Sequence, residues 1–198
     1  MNDSSTHCLI MAGGVGSRFW PLSTEDNPKQ FLDILGTGKS LIQMTFDRFK
    51  QVIPEENIYV LTNSKYKSKV TDQLNINNNK VLCEPIRKNT APCIAYATAK
   101  IYKNDPNAII LISPSDHLIL NEKQFFDDLN LGINHAKTSD NLVTYGVKPN
   151  KPNTGYGYIE FNQNEHEDVI CKVEQFREKP DLKMANEFIQ KGNFYWNS

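Results

Sequence analysis

The sequence predicts an α/β protein, a three-layer α/β/α sandwich around a mostly parallel, mixed sheet. Three observations carry this reading. The runs CLIMA (8–12), IYVLT (58–62) and AIILIS (108–113) are short, continuous and apolar, the texture of strands covered on both faces in a parallel sheet. Segments of helical period lie between them, and alternation of that kind builds parallel sheets. Past residue 140 the texture changes: LVTYGV, GYIEF and VICKVEQF read as strands with few helical intervals, which predicts a mixed or antiparallel extension.

The elements follow in order. CLIMA opens the sheet, and a glycine-rich stretch, GGVGSR (13–18), interrupts the chain directly after it. Ile42, Phe46, Phe49 and Ile53 step by helical intervals, and Ser40 with Gln43 three positions later forms a capping box at the start of that helix. IYVLT is the second strand. The asparagine-rich NINNNK (75–80) reads as a surface loop, and KVLC as a further strand. The next helix starts near Asn89 or Thr90, with Pro92 tolerated in its first turn, and its narrow face is expected at Ala91, Ala95 and Ala99. AIILIS then leads to a helix over about 122–137 with Phe125, Leu129 and Ile133 in register.

Composition excludes several classes. Twenty-two basic against 23 acidic residues leave a net charge of −1, without the clustered basic excess that nucleic acid or an anionic membrane surface requires. No apolar run reaches the length of a membrane span, and MNDSST lacks the layout of a signal peptide, so a cytoplasmic setting is expected. Cys8, Cys83, Cys93 and Cys171 show no CxxC spacing, and neither a disulfide framework nor a structural zinc site is expected. The chain stops at GNFYWNS, directly after an aromatic run, without a cap or turn; the expectation is a domain cut short, part of a longer protein.

Two familiar phosphate motifs fail. A Rossmann fingerprint would need glycine where Phe19 stands, and Pro21 interrupts any immediate helix. GTGKS (36–40) invites a Walker reading, but the required first glycine is Asp33, whose carboxylate would repel phosphates. A third reading takes GGVGSR as a nest of backbone N–H groups around an anion, with Arg18 forking onto phosphate oxygens and Lys29 acting as a point charge. The plainer alternative is a glycine-rich turn flanked by surface cations. Asp116, just past AIILIS, stands at the strand end where open α/β sheets bind ligands; it suits a hard cation such as Mg²⁺, or else simply caps a turn. EPIRKNTAPCIA (84–95) is either a loop exposing backbone groups to a base edge or a helix cap with two solvated cations. Glu178 and Lys179, adjacent at the end of a strand-like run, should face opposite sides, one buried and one solvated.

Gly13-Gly14-x-Gly16-x-Arg18-x-x-Pro21-Leu22, followed by Pro28-Lys29-Gln30, resembles the signature of the sugar-1-phosphate nucleotidyltransferases, most closely their mannose-1-phosphate guanylyltransferase branch. The likeness continues through EPIRKNTAPCIA, SPSDHLI (113–119), TGYGYIE (154–160), FREKPD (176–181) and FYWNS (194–198). It implies the Rossmann-like sandwich of nucleotide-diphospho-sugar transferases, as one nucleotidyltransferase domain over 1–198, truncated at its C-terminal end. A further C-terminal domain would lie outside this chain, and homo-oligomerisation through that missing region is part of the expectation. The reaction implied is GTP plus α-D-mannose 1-phosphate giving GDP-mannose, a precursor for polysaccharide biosynthesis, and pyrophosphate, with Mg²⁺ as cofactor and neither nucleic acid nor membrane as partner. By the same resemblance Arg18, Lys29 and Lys179 are catalytic. Ala12, Gly13, Gly14, Gly16, Ser17, Arg18, Glu84, Pro85, Asn89 and Thr90 contact the nucleotide, with Glu84–Thr90 at the base. Asp116 holds the metal and meets the sugar side with Gly157, Glu178, Lys179 and Asn197, and His117 supports Asp116. The alternatives are a uridylyl or thymidylyl transferase acting on glucose 1-phosphate, and a non-catalytic subunit that binds a nucleotide sugar.

Overall fold

The computed structural model describes residues 5–14, 16, 19–85, 89–162 and 170–197. Its contacts fall into two compact units, Met1–Ile133 and Asn134–Ser198.

The first unit is built on four parallel strands, β1 (Thr6–Met11), β2 (Ile58–Thr62), β3 (Val81–Cys83) and β4 (Ile109–Pro114), in the order β3-β2-β1-β4. Side chains alternate along a strand, and both faces of β1 and β2 are covered. Cys8 and Ile10 of β1, with Ile58 and Val60 of β2, pack beneath α1 (Leu41–Lys50), α2 (Lys67–Leu74) and α4 (Glu122–Thr138) through Ile42, Phe46, Phe49, Val70, Leu74 and Leu129. Leu9 and Leu61 face the other way, onto α3 (Thr90–Tyr102). That is the expected three-layer arrangement, and it explains the uninterrupted apolar runs of β1 and β2. β4, last in the strand order, has no fully buried residue and exposes Ile112, so the expected cover on both faces fails there.

Details differ from expectation. α1 ends at Lys50, so Ile53 lies beyond the helix although it is still buried in the same core. The capping box at Ser40 and Gln43 forms, with Gln43 Oε1 accepting from the Ser40 amide at 2.9 Å. The Asn-rich loop holds a 3-10 turn, Asn78–Lys80. The expected alanine face of α3 is wrong: Ala91, Ala95 and Ala99 are exposed, while Ala97 and Ile101 are buried and Cys93 and Tyr96 pack beside them. Cys93, Ala97 and Ile101 repeat the same four-residue spacing two positions later. They bring more apolar surface to Leu9 and Leu61 than alanine alone, and burial of area decides which face turns inward. α2 carries no marker the sequence reading picked out.

The second unit holds an antiparallel sheet, β5 (Gly146–Val147), β6 (Gly157–Phe161), β7 (Val173–Arg177) and β8 (Phe194–Asn197), in the order β5-β8-β6-β7. GYIEF is a strand as read. LVTYGV yields only Gly146–Val147, and Leu142 is fully exposed; VICKVEQF yields a strand only from Val173, with Cys171 outside it. α5 (Leu182–Lys191) was not foreseen, although its markers are present: Asp181 caps it by accepting from the Met184 amide at 2.8 Å, and Gly192 ends it in the left-handed region. Ala185 and Phe188 of α5 pack on Tyr158, Phe194 and Trp196, and the Phe188 and Phe194 rings stack at 4.1 Å. The closing aromatic run is therefore core, as expected, and it is also a strand. No helix among the described residues is long and apolar enough to cross a membrane.

Candidate functional site

In the first unit, parallel pairing brings the carboxyl ends of β1, β3 and β4 to one edge. The pairing extends past the strands: the Ala12 amide donates to Leu61 O at 2.8 Å, the Ser115 amide to Met11 O at 3.1 Å, and the Glu84 amide to Thr62 O at 3.2 Å. Residues 12–14, 84–85 and 115–117 thus leave the sheet at the same edge. Ligands gather at this edge in open α/β sheets.

The loop after β1 is held from within. Ala12 O accepts from Thr62 Oγ1 at 2.8 Å and from Gln30 Nε2 at 2.9 Å. The same Gln30 nitrogen donates to Gly14 O at 3.0 Å, and Ser23 Oγ donates to Gly16 O. Gly16 has φ +68°, and a β-carbon there would stand 2.6 Å from Lys29 Cβ and 3.1 Å from the Lys29 amide nitrogen. Only glycine suits both the backbone angle and the space. Lys29 opens a short 3-10 turn, Lys29–Phe31, whose other two residues are buried. Its ammonium lies 3.1 Å from Asp116 Oδ2 and 4.4 Å from the centre of the Phe19 ring. The structure therefore gathers Ala12, Gly13, Gly14, Gly16, Lys29 and Asp116, as the sequence reading expected. Ser17 and Arg18 lie outside the described residues, as do Arg87 and Lys88.

Glu84 is buried, and its Oε1 would be 3.6 Å from a β-carbon on Gly13. Cys93, in the first turns of α3, bonds to the same carboxylate. Burial, reinforced by the charge of Glu84, pushes the Cys93 thiol up to about 11. Pro85 follows Glu84 and is exposed. Asn89 occupies the position before α3 with φ +66° and makes no side-chain cap, and Thr90 begins the helix itself; the side-chain cap expected there does not form. His117, beside Asp116, is kept below its usual range chiefly by burial, against the pull of the Asp116 carboxylate, so it stays neutral near pH 7. That suits a supporting role better than a charged one.

The GTGKS segment turns its donors on its own chain. Asp33 Oδ1 accepts from the Thr37 amide at 3.0 Å and Oδ2 from the Gly38 amide at 2.7 Å, and these backbone bonds lower the Asp33 carboxyl. The residue that breaks the Walker pattern occupies the place an anion would take.

In the second unit, Gly157 pairs with Asn197 across β6 and β8. A β-carbon on Gly157 would come 3.0 Å from Glu178 Oε2 and 3.7 Å from Asn197 Cβ, so these three residues meet at one end of the sheet. Glu178 and Lys179 do not split into one buried and one solvated residue. β7 stops at Arg177 and Lys179 takes φ +41°, which breaks strand alternation. Both side chains are exposed, and they pair with each other at 2.5 Å.

Sequence reasoning assigned no role to Gln30, Thr62, Phe19 or Ser23. Gln30 stood within the quoted Pro-Lys-Gln, but nothing in the residue type alone marks a side chain that holds two carbonyls of a distant loop.

A family model described as nucleotidyl transferase matches residues 7–198. A mannose-1-phosphate guanylyltransferase of Salmonella muenchen is 39% identical over 198 residues, covering 96% of this chain and 40% of that protein. A crystal structure described as mannose-1-phosphate geranyltransferase from Thermus thermophilus superposes with TM-score 0.86 at 32% identity, over 98% of this chain and 55% of that one. Another, described as mannose-6-phosphate isomerase from Helicobacter pylori, gives TM-score 0.77 at 31% identity, over 98% and 68%. The chain spans about 40% of the length of the curated relatives it matches.

Proposed function

Since this chain belongs to the nucleotidyl transferase family, we propose that it carries the GTP-dependent transfer of GMP to α-D-mannose 1-phosphate, giving GDP-mannose and pyrophosphate. The observation that carries the reading is the juxtaposition of the glycine loop, Lys29 and Asp116 at the carboxyl edge of the parallel sheet. The names of relatives 36–39% identical to this chain supply the sugar and the base.

The acceptor is already a nucleophile, because a phosphate monoester is largely dianionic near neutral pH. Its oxygen attacks the α-phosphorus in line; one P–O bond forms as the bond to the β-phosphate oxygen breaks, and pyrophosphate leaves with the electron pair. What the site must overcome is repulsion between two polyanions, so positioning and charge neutralisation carry the catalysis. Lys29 supplies fixed positive charge beside the loop, with Arg18 and Lys179 as the further cations. Gly157, Glu178 and Asn197 engage hexose hydroxyls. Glu84, a buried carboxylate beside Gly13, accepts from the two donors guanine carries on its N1 and N2. Uracil and thymine offer one donor there, which is the basis for choosing GTP.

Magnesium fits the donor set at Asp116. Mg²⁺ keeps several waters and takes one or two carboxylates together with substrate phosphates. Asp116 offers a partly exposed carboxylate, and no cluster of three ligating side chains exists among the described residues. Asp116 would hold the ion, which when bound offsets phosphate charge. The Asp116 carboxylate pairs with the Lys29 ammonium at 3.1 Å.

The test is calorimetric titration with GTP, UTP and dTTP in Mg²⁺, and pyrophosphate release with mannose 1-phosphate, for the protein and for Lys29→Ala and Asp116→Ala. A charge-assisted contact contributes about 1.5–3 kcal/mol, so each substitution should slow release by about 10- to 150-fold without unfolding the protein. Preference for UTP or dTTP would overturn the assignment of donor. Near-normal turnover in either variant would overturn the roles given to Lys29 and Asp116, and tight GDP-mannose binding without turnover would make the protein a sensor.

A further inference from the structure

We infer that Gln30 is a positioning residue for the anion-binding loop, a role that rests on the nucleotidyl transfer proposed above. The residue is 4% exposed, and its single amide nitrogen donates to two carbonyls of the loop, Ala12 O at 2.9 Å and Gly14 O at 3.0 Å. An –NH₂ group has two hydrogens in a fixed fork, and both are used here on residues two apart in the chain.

The consequence is electrostatic. A carbonyl oxygen carries partial negative charge, and a loop that accommodates a triphosphate must keep such oxygens away from it. Gln30 holds two of them turned inward, toward the buried side of the loop. A peptide group is planar and trans, so its N–H lies on the edge opposite its C=O. Fixing Ala12 O inward therefore also sets the direction of the Gly13 amide. Thr62 reinforces the hold on Ala12 O. The hold on Gly14 O comes from Gln30.

Lys29 and Gln30 act as one brace. Lys29 Cβ closes against Gly16, Gln30 grips Ala12 and Gly14, and Phe31 anchors the turn in the core. The spacing between the loop and the Lys29 ammonium is thereby set by the dipeptide rather than by Lys29 alone. Glutamate in place of Gln30 would aim lone pairs at both carbonyls and add negative charge beside the phosphates. Leucine would fill similar volume and leave both carbonyls without this donor.

Inorganic tripolyphosphate probes the loop without base or sugar. Calorimetry on the protein and on Gln30→Leu and Gln30→Glu should show binding weakened about 10-fold in the first and at least 100-fold in the second. In turnover the KM for GTP should rise by similar factors while the KM for mannose 1-phosphate stays within about twofold, a split that general loosening of the fold would not give. Gln30→Asn, one methylene short, should fall between the protein and Gln30→Leu. Unchanged tripolyphosphate affinity in Gln30→Leu or Gln30→Glu overturns the inference. So does failure of all three variants to fold, which would assign Gln30 to stability. Tripolyphosphate binding that depends on Gln30 in a protein that does not convert GTP and mannose 1-phosphate would sustain the inference and sink the reaction. Failure of the unaltered protein to bind tripolyphosphate would sink both.

Discussion

Gly16→Ala tests the geometry of the loop most directly. The substitution places a methyl group where φ is +68°, and the left-handed region costs an L-residue about 1–2 kcal/mol. The new β-carbon would also stand 2.6 Å from Lys29 Cβ, against the 3.4 Å at which ordinary contact begins, so one side must give way by 0.8 Å. Lys29 Cβ is not the free end of a side chain. It is tied to a turn whose next two residues, Gln30 and Phe31, are buried, and forced repacking of that kind costs about 1–3 kcal/mol. The sum is about 2–5 kcal/mol, which for a chain of this size lowers the melting temperature by roughly 4–20 °C. If the strain is relieved instead by moving Lys29, its 3.1 Å pairing with Asp116 is lost, and under the role proposed for Lys29 a displacement near 1 Å costs roughly a hundredfold in rate. Thermal unfolding and pyrophosphate release, measured together, show how the penalty divides. Gly14→Ala is the control, because nothing lies within 4 Å of a β-carbon there and its φ is not positive; it should stay within about 0.5 kcal/mol of the unaltered protein. A Gly16→Ala protein as stable and as active as the original, or equal losses of stability at the two positions, would refute the packing argument.

Asp33→Asn should leave GTP affinity unchanged and lower the melting temperature at pH 7 by a few degrees. Because the folded Asp33 carboxyl lies below its unfolded value, its contribution is present above about pH 4 and is lost as pH falls through the folded value, so the difference in melting temperature should close in acid. Weaker GTP binding in Asp33→Asn would revive the Walker reading. Cys93, with its thiol pushed up to about 11, holds roughly one thiolate in a thousand at pH 8. Alkylation by iodoacetamide, followed by mass spectrometry, should therefore be slow at pH 8 and rise about tenfold per pH unit. Labelling of Cys93 at the rate of a free thiol would overturn its burial against Glu84.

What the sequence discloses divides along physical lines. Strands and helices with an apolar rhythm were legible because burial imposes it: IYVLT and GYIEF are strands to the residue, and Phe125, Leu129 and Ile133 do face the core. LVTYGV has the composition of a strand, yet composition does not supply a partner, and only Gly146–Val147 finds one, in β8. α5 carries the markers of a helix, an Asp181 cap and a Gly192 stop around an apolar face, within a stretch whose neighbours read as strands. The alanines of α3 show that equal spacing on two faces cannot decide between them; the volumes of Cys93, Tyr96 and Ile101 do. Among candidate site residues, Lys29 and Asp116 were legible because their charge marks them. Gln30 and Thr62 were not, because their work is done by ordinary donors reaching 18 and 50 positions along the chain to one carbonyl.

Two glycine-rich loops near the start of the chain make the last distinction. Both carry glycines and a nearby cation, and both are built to organise backbone dipoles. In residues 33–38 the amides of Thr37 and Gly38 are turned onto the carboxylate of Asp33, so the positive ends of the dipoles already have an internal anion. In residues 12–14 the carbonyls of Ala12 and Gly14 are committed inside, to Thr62 and Gln30, and the Ala12 amide to Leu61 O. An anion is attracted by amide hydrogens and repelled by carbonyl oxygens, so satisfying the oxygens from within prepares a loop for an anion, whereas satisfying the hydrogens from within removes that capacity. Motif spacing reports neither fact. Residues 33–38 have already spent the Thr37 and Gly38 amides on Asp33, whereas Gln30 and Thr62 hold two carbonyl oxygens of the first loop, beside Lys29 and Asp116, and it is this loop that the proposed function gives to phosphate.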